Sequence, residues 1–131
     1  MENQLRAALI DWLRTDTALA HLNAVEEESP LSVSPPWLGI AASASIDWST
    51  KDRTGREIRV ALELFTRGDD AAADGSTINQ IGRRIEAMPP AQPGFELVTI
   101  RFLRARAERR PNNMRAVLLE YRFRLLETPT E

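Results

Sequence analysis

The stretch REIRVALELF, residues 56–65, decides the fold class of this chain. Apolar and polar side chains alternate along it, and the apolar members of one face are Ile58, Val60, Leu62 and Leu64. Successive side chains of a β-strand point to opposite faces, so this period of two predicts a strand with one buried face and one wet face. Such a strand needs similar partners, and helices must cover its apolar side.

Two more strands are predicted near the C-terminus. Residues 114–127 alternate well, and residues 95–108 alternate as far as Phe102. Beyond Phe102 the apolar and polar positions exchange faces, which predicts a β-bulge at Leu103 because one extra residue reverses the faces. Pro111 and the two asparagines after it supply the turn between the strands.

Helical spacing of apolar residues occurs before and between these strands. Residues 2–14 and 77–88 each carry an apolar stripe at intervals of three and four residues, which predicts two amphipathic helices. Residues 15–22 predict a second short helix after the first, with Thr15 or Asp16 as its N-cap.

Two further segments lie between the N-terminal helices and the strand at 56–65. Residues 37–43 follow two prolines and are apolar, which favours a short strand. Residues 43–56 are polar and rich in turn formers, which favours an extended loop or hairpin tip. The predicted order is α-α-β-β-α-β-β. It indicates one α+β domain, residues 1–131, with an antiparallel four-stranded sheet and helices packed on one face.

Composition narrows the classes of function. The chain has 131 residues and a net charge of −2, so no overall field draws it to DNA or to an anionic membrane. It contains no cysteine, which excludes disulfides, cysteine–zinc sites and thiol nucleophiles. Polar groups recur every few positions in residues 1–14, so neither a signal peptide nor a membrane span is expected there.

Motifs for catalysis are missing from the sequence. His21 is the single histidine; it has no evident acid–base partner, and a position on a helix surface is the simpler interpretation. The sequence has no glycine-rich phosphate loop, dinucleotide fingerprint or serine-hydrolase elbow. We therefore expect no enzyme, no catalytic or metal-binding residue and no cofactor.

Two surface features are candidates for contact with other molecules. In the loop 43–56, Trp48 is either an exposed protein-contact anchor or a residue folded back on the core. The polar face of the C-terminal strand pair carries arginines interleaved with glutamates. A nucleic-acid patch would need net positive charge and interleaved aromatic residues, so an ion-paired, solvated face is the simpler interpretation.

Taken in order, the segments resemble a known family. They are LRAALIDWL and DTALAHL in the helices, SPPWLGI at the first strand, the alternating REIRVALELF, the helix INQIGRRIEAM and the hairpin ending in MRAVLLEYRFRLLE. Over nearly the whole chain they resemble the small tail-completion or tail-terminator proteins of long-tailed phages and of phage-like gene transfer agents.

That resemblance implies an assembly role without catalysis or cofactor. Such proteins form a ring, generally a hexamer, that caps the head-proximal end of the tail tube and stops tube polymerisation. The implied partners are other copies of the chain, the tail tube protein and a neck or head-connector protein. DNA only passes transiently through the channel, and no membrane is involved. The implied location is the tail–neck junction of a virion assembled in the bacterial cytoplasm.

The candidate contact residues are inferred from position alone. For a loop that contacts the tube or the neck they are Trp48, Lys51, Arg53 and Arg56. For a subunit interface or a channel surface they are Arg104, Arg106, Arg122 and Arg124. Two alternatives to a terminator are a head–tail connector component, such as a stopper or adaptor, and a small nucleic-acid-binding or regulatory module that uses the arginine-rich hairpin.

Overall fold

The computed structural model describes residues 1–28, 32–68 and 71–129. Within these ranges the α-helices are α1 (Glu2–Arg14) and α2 (Ala71–Glu86). The strands are β1 (Ala24–Glu26), β2 (Trp37–Asp47), β3 (Gly55–Arg67), β4 (Ala91–Gln92), β5 (Phe95–Arg110) and β6 (Met114–Glu127). They form one sheet in the order β1-β2-β3-β6-β5-β4, in which β1 runs parallel to β2 and the other neighbours are antiparallel.

The predicted antiparallel four-stranded sheet with three helices is wrong. The described residues form a mixed, curled six-stranded sheet that resembles half a barrel, with two α-helices. The strands that the sequence did not predict, β1 and β4, are three and two residues long. Segments this short show no periodic pattern, and they are strands only because a longer strand pairs with them. The predicted helix at 15–22 is a single 3₁₀ turn, Thr17–Leu19, capped by Asp16.

Two other boundaries differ from those that the sequence predicts. Helix α2 begins at Ala71 instead of residue 77, since a run of alanines, the best helix formers, precedes the expected start. The predicted loop 43–56 is mostly strand, because β2 continues to Asp47 and β3 begins at Gly55. Only residues 48–54 connect them, as a compact hairpin turn.

The middle of the sheet is the pair β3 and β6, which are in register along the whole length of β3. The predicted apolar face of β3 is confirmed, since its four inward side chains, Ile58, Val60, Leu62 and Leu64, have no solvent exposure. They join one core with inward residues of both helices, among them Leu5, Leu9, Ile81 and Ile85. Full burial of side chains of this size contributes about 1.5–3 kcal/mol each.

Register shifts bend the outer strands of the described sheet. One lies at Ala41 in β2, and two lie at Val98 and Leu103 in β5. The shift at Leu103 confirms the predicted bulge, which returns Arg104 and Arg106 to the polar face of the sheet.

Gly55 allows the β2–β3 turn to close against β6. A Cβ atom at this position would lie 2.8 Å from the Leu125 carbonyl oxygen and would also press on the carbonyl oxygen of Trp48. Both neighbours are backbone atoms, which cannot move aside without moving their strands.

We predict that Gly55→Ala lowers the free energy of unfolding by about 1–3 kcal/mol, because the turn must shift to admit the methyl group. Urea denaturation followed by circular dichroism measures the loss. Gly75→Ala in α2 is the matched control: among the described residues, no atom outside its own helical turn and chain neighbours lies within 4 Å of its Cβ position. We therefore expect it to be neutral or stabilising by up to about 1 kcal/mol. Equal losses in both variants would contradict the steric role of Gly55.

Candidate interaction surfaces

The sheet face opposite the helices carries the four arginines that were predicted from the sequence to lie at a subunit interface or a channel surface. Tyr121, Phe123 and Leu125 of β6 point into the core, so the residues between them point to the other side. Directly opposed residues of antiparallel strands share a face. Arg104 and Arg106 of β5 lie opposite Glu120 and Leu118 of β6, so they are on this helix-free side too. The selected arginines that lie together on this helix-free face are Arg104, Arg106, Arg122 and Arg124.

Glu57 is the centre of the most buried charge cluster on the helix-free face. Arg124 Nε donates a hydrogen bond to Glu57 Oε1 at 3.0 Å, and Arg122 Nε lies 3.8 Å from the same oxygen. The Glu57 side chain is only 10% exposed, and the buried Arg122 Nε makes no hydrogen bond within the described residues. The two guanidinium groups therefore depend on one carboxylate.

The other two arginines of this face form exposed ion pairs. Arg104 Nε donates to Glu120 Oε2 at 2.9 Å, and Arg106 lies 3.6 Å from Glu108. The arginine side chains are 69% and 74% exposed, so each pair contributes little to stability and can exchange partners. The four selected arginines are thus ion-paired, unlike the unpaired basic patch that binds nucleic acid. Arg59 and Arg101 lie on the same face and have no ion pair within the described residues.

The loop candidates do not form one exposed group. Lys51 and Arg56 are exposed. Arg53 donates two hydrogen bonds, 3.1 and 2.9 Å long, to the carbonyl oxygen of Glu127, so it ties the turn to the end of β6. Trp48 is half-buried, with the Arg124 guanidinium carbon 5.5 Å from its ring centroid. It is therefore neither a fully exposed anchor nor a core residue.

A second buried network of polar side chains lies at the tip of the β5–β6 hairpin, and the sequence did not predict it. Arg115 Nε donates to Asp74 Oδ2 at 2.8 Å, and the Thr66 hydroxyl donates to the same oxygen at 3.0 Å. Arg115 also donates to the Gly68 carbonyl oxygen at 2.6 Å. The network joins β3, α2 and β6. No local signal pairs Asp74 with a residue 41 positions away in sequence.

Groups that could support other functions are sparse in the parts of the chain that the structure describes. His21 Nε2 is exposed and lies 3.1 Å from the Thr77 hydroxyl. Across residues 1–28, 32–68 and 71–129, no three acidic or histidine side chains cluster so as to hold a metal ion. No helix in the same ranges is long and apolar enough to cross a membrane.

The sequence of the chain matches a known protein family. The family model described as "Tail completion protein gp17" matches residues 7–126. The chain belongs to this tail completion family. The resemblance seen in the sequence segments is thereby confirmed. As a family member, the chain has a structural role in phage tail assembly.

A solved structure shares the fold of this tail completion family member. It is a chain in the structure described as "Virion of native gene transfer agent (GTA) particle", with a TM-score of 0.76 and 24% sequence identity. The match covers 97% of each chain. No curated protein matches the sequence significantly.

We predict that Glu57→Gln lowers the free energy of unfolding by about 2 kcal/mol, because two partly buried guanidinium groups lose their shared carboxylate. Glu120→Gln is the matched control: its partner Arg104 is 69% exposed, and breaking an exposed ion pair changes stability by about 0–1 kcal/mol. Chemical denaturation at neutral pH measures both variants. A loss at Glu120 as large as that at Glu57 would contradict the central position of Glu57.

Proposed function

We propose that the chain is a tail terminator. Copies of it form a ring, a hexamer by the family resemblance, at the head-proximal end of the tail tube. The ring stops tube polymerisation and joins the tail to the neck or head-connector proteins. The observation that carries this proposal is the match of the tail completion family over residues 7–126. The role is structural and involves no catalysis and no cofactor.

The surfaces of the chain are compatible with a ring subunit. A cyclic ring with head-to-tail contacts needs two different, complementary surfaces on each copy. The helix-free face supplies charges of both signs, which fix the register of a contact without large exposed apolar patches. Arg104, Arg106, Arg122 and Arg124 lie at this subunit-interface or channel surface.

Paired charges also suit a channel through which DNA moves. Unpaired Lys and Arg side chains bind phosphates tightly by releasing counterions. Here acidic side chains pair with the four selected arginines of the helix-free face. Arg59 and Arg101, which lie opposite Arg122 on the same face, have no ion pair among the described residues. A channel surface of this kind guides DNA without retaining it.

The β2–β3 turn is the proposed contact with the tube or the neck. Within it Lys51 is an exposed cation, and Arg56 is another at the start of β3. Trp48 and Arg53 support the turn through their contacts with Arg124 and Glu127. The ring and its tube and neck partners lie at the tail–neck junction of a virion that is assembled in the bacterial cytoplasm.

Deleting the gene in the particle-producing cell that encodes it tests the terminator role. We expect tails of unregulated length without attached heads in electron micrographs, and normal particles when the wild-type chain is supplied in trans. Tails of normal, regulated length joined to heads would refute the proposal. Tails of normal length that lack heads would point instead to a stopper or adaptor.

Charge reversal in the turn tests the tube or neck contact. We predict that Lys51→Glu with Arg56→Glu lowers the yield of joined particles about tenfold, the effect of losing about 1.4 kcal/mol of contact free energy. The matched control is Arg83→Glu, an exposed arginine on α2, which should leave the yield unchanged. Counts of joined particles by electron microscopy give the result. An equal loss in the control would remove the turn from the contact.

A further inference from the structure

Both long outer strands of the sheet have edges that are only partly covered. β1 pairs with β2 only at residues 37–39, and β4 pairs with β5 only at residues 95–96. In the part of the chain that the structure describes, no strand pairs with the outer side of residues 40–47 in β2 or 98–110 in β5. An uncovered edge presents a row of backbone N–H and C=O groups to another strand.

The β2 edge lacks charged side chains and proline, which usually protect an edge strand against pairing. Residues 40–46 of β2 contain no charge and no proline, and residues 41–45 are alternating or adjacent Ala and Ser. Isolated proteins normally protect such an edge with lysine, proline or inward charges. Ile46 on β2 and Phe102 on β5 are 61% and 45% exposed, large values for apolar side chains within strands. The β2 edge is therefore suited to being covered in an assembly, and the β5 edge offers an exposed apolar side chain at Phe102.

The two edges differ in their balance of charge, which is acidic beside β2 and basic along β5. Beside the β2 edge, Glu27 and Glu28 line a cleft of about 210 Å³ that reaches residues 40–43, with Arg6 as the single cation of its lining. Glu2 also lies there, and hydrogen bonds from the Ser43 and Ser45 hydroxyls hold the pKa of its carboxyl below the ordinary value, so Glu2 is ionised. The β5 edge carries Arg104 and Arg106, whose exposed ion pairs can exchange partners.

We propose that the β5 edge of one copy pairs antiparallel with the β2 edge of the next copy, so that the sheet continues from subunit to subunit. This inference rests on the proposed ring and assigns its subunit contact. β5 and β2 run in opposite directions within one copy. Rotation about an axis along the strands keeps those directions, so neighbouring copies bring the two edges together antiparallel.

The position of β1 sets the register of this contact. β1 occupies the outer side of β2 below residue 40, so the β5 hairpin tip must stop at that point. The longest overlap then aligns Ile46 with Arg104, Ala44 with Arg106 and Ala42 with Glu108. All six residues lie on the helix-free face in their own strands. In this register the long charged side chains of β5 lie beside alanines, and the Arg104 stem covers Ile46.

A cysteine pair in the 131-residue chain tests the contact. The natural sequence has no cysteine, so Ile46→Cys with Arg104→Cys introduces the only thiols. Within one copy these positions are separated by three strand spacings, about 14 Å or more. That exceeds the Cα separation of about 7 Å that a disulfide can bridge. Every disulfide between the two positions therefore joins two copies.

Oxidation of the purified double variant should give a ladder of covalent multimers on a non-reducing gel, and dithiothreitol should collapse it. Each single-cysteine variant should give dimers at most. The register control is Ile46→Cys with Thr99→Cys, whose second thiol lies on the same strand about 16 Å from position 104. A ladder from the pair at positions 46 and 99 would overturn the proposal. So would the absence of a ladder from both pairs, if the variants keep a native circular dichroism spectrum and are oxidised at millimolar protein concentration.

Charge reversal in the cysteine-pair background adds a rescue experiment. Ala44→Arg places a second cation beside Arg106 of the neighbour and should lower the ladder yield about tenfold. Adding Arg106→Glu should restore it, because the new pair attracts. Failure of the rescue in folded protein would contradict the register.

Tail length in cells separates this contact from the terminator role. A variant that gives no ladder yet terminates tails normally would remove the edge contact and leave the terminator proposal intact. If the cysteine pair gives a ladder but deletion of the gene leaves tail length regulated, the edge contact stands and the terminator proposal is refuted.

Discussion

Burial of one apolar face of β3 and β6 against both helices is the interaction on which the rest of the structure depends. Every inward position from Ile58 to Leu64 is fully buried. A slip of one residue in the pairing would turn that apolar set toward water, so the register of the central strands is strongly specified. The same register decides which arginines share the opposite face and where the outer strands of the sheet remain uncovered.

Prediction of strands from the sequence succeeded where a periodic pattern was long and its apolar and polar positions differed strongly. The alternation in β3 and β6 and the exchange of faces at Leu103 fall in this class. It failed for β1 and β4, because strands of three and two residues have no period and depend on their neighbours. It also misjudged residues 43–47, where alanine and serine differ too little in polarity to show alternation. Tertiary pairing with β3 makes that segment a strand.

The candidate site shows the same division between what a pattern predicts and what only the fold determines. Alternation together with the bulge correctly placed Arg104, Arg106, Arg122 and Arg124 on the polar face. It could not assign their partners, because Glu57 reaches Arg124 across 67 positions of sequence. Nor could it indicate that Arg53 binds a backbone carbonyl of β6, since composition marks a loop cation as a contact residue whether or not the fold already uses it.

The curl of the sheet has a consequence for the number of copies in an assembly. If each subunit continues the sheet of the last, a fixed turn is added with every copy, and the chain of subunits closes only when those turns sum to a full circle. Sheet curvature then sets the stoichiometry, and the bends at Ala41, Val98 and Leu103 contribute to that curvature. A change at one of these bends would alter the bore of the assembly, or convert a closed circle into an open spiral, without touching a contact residue.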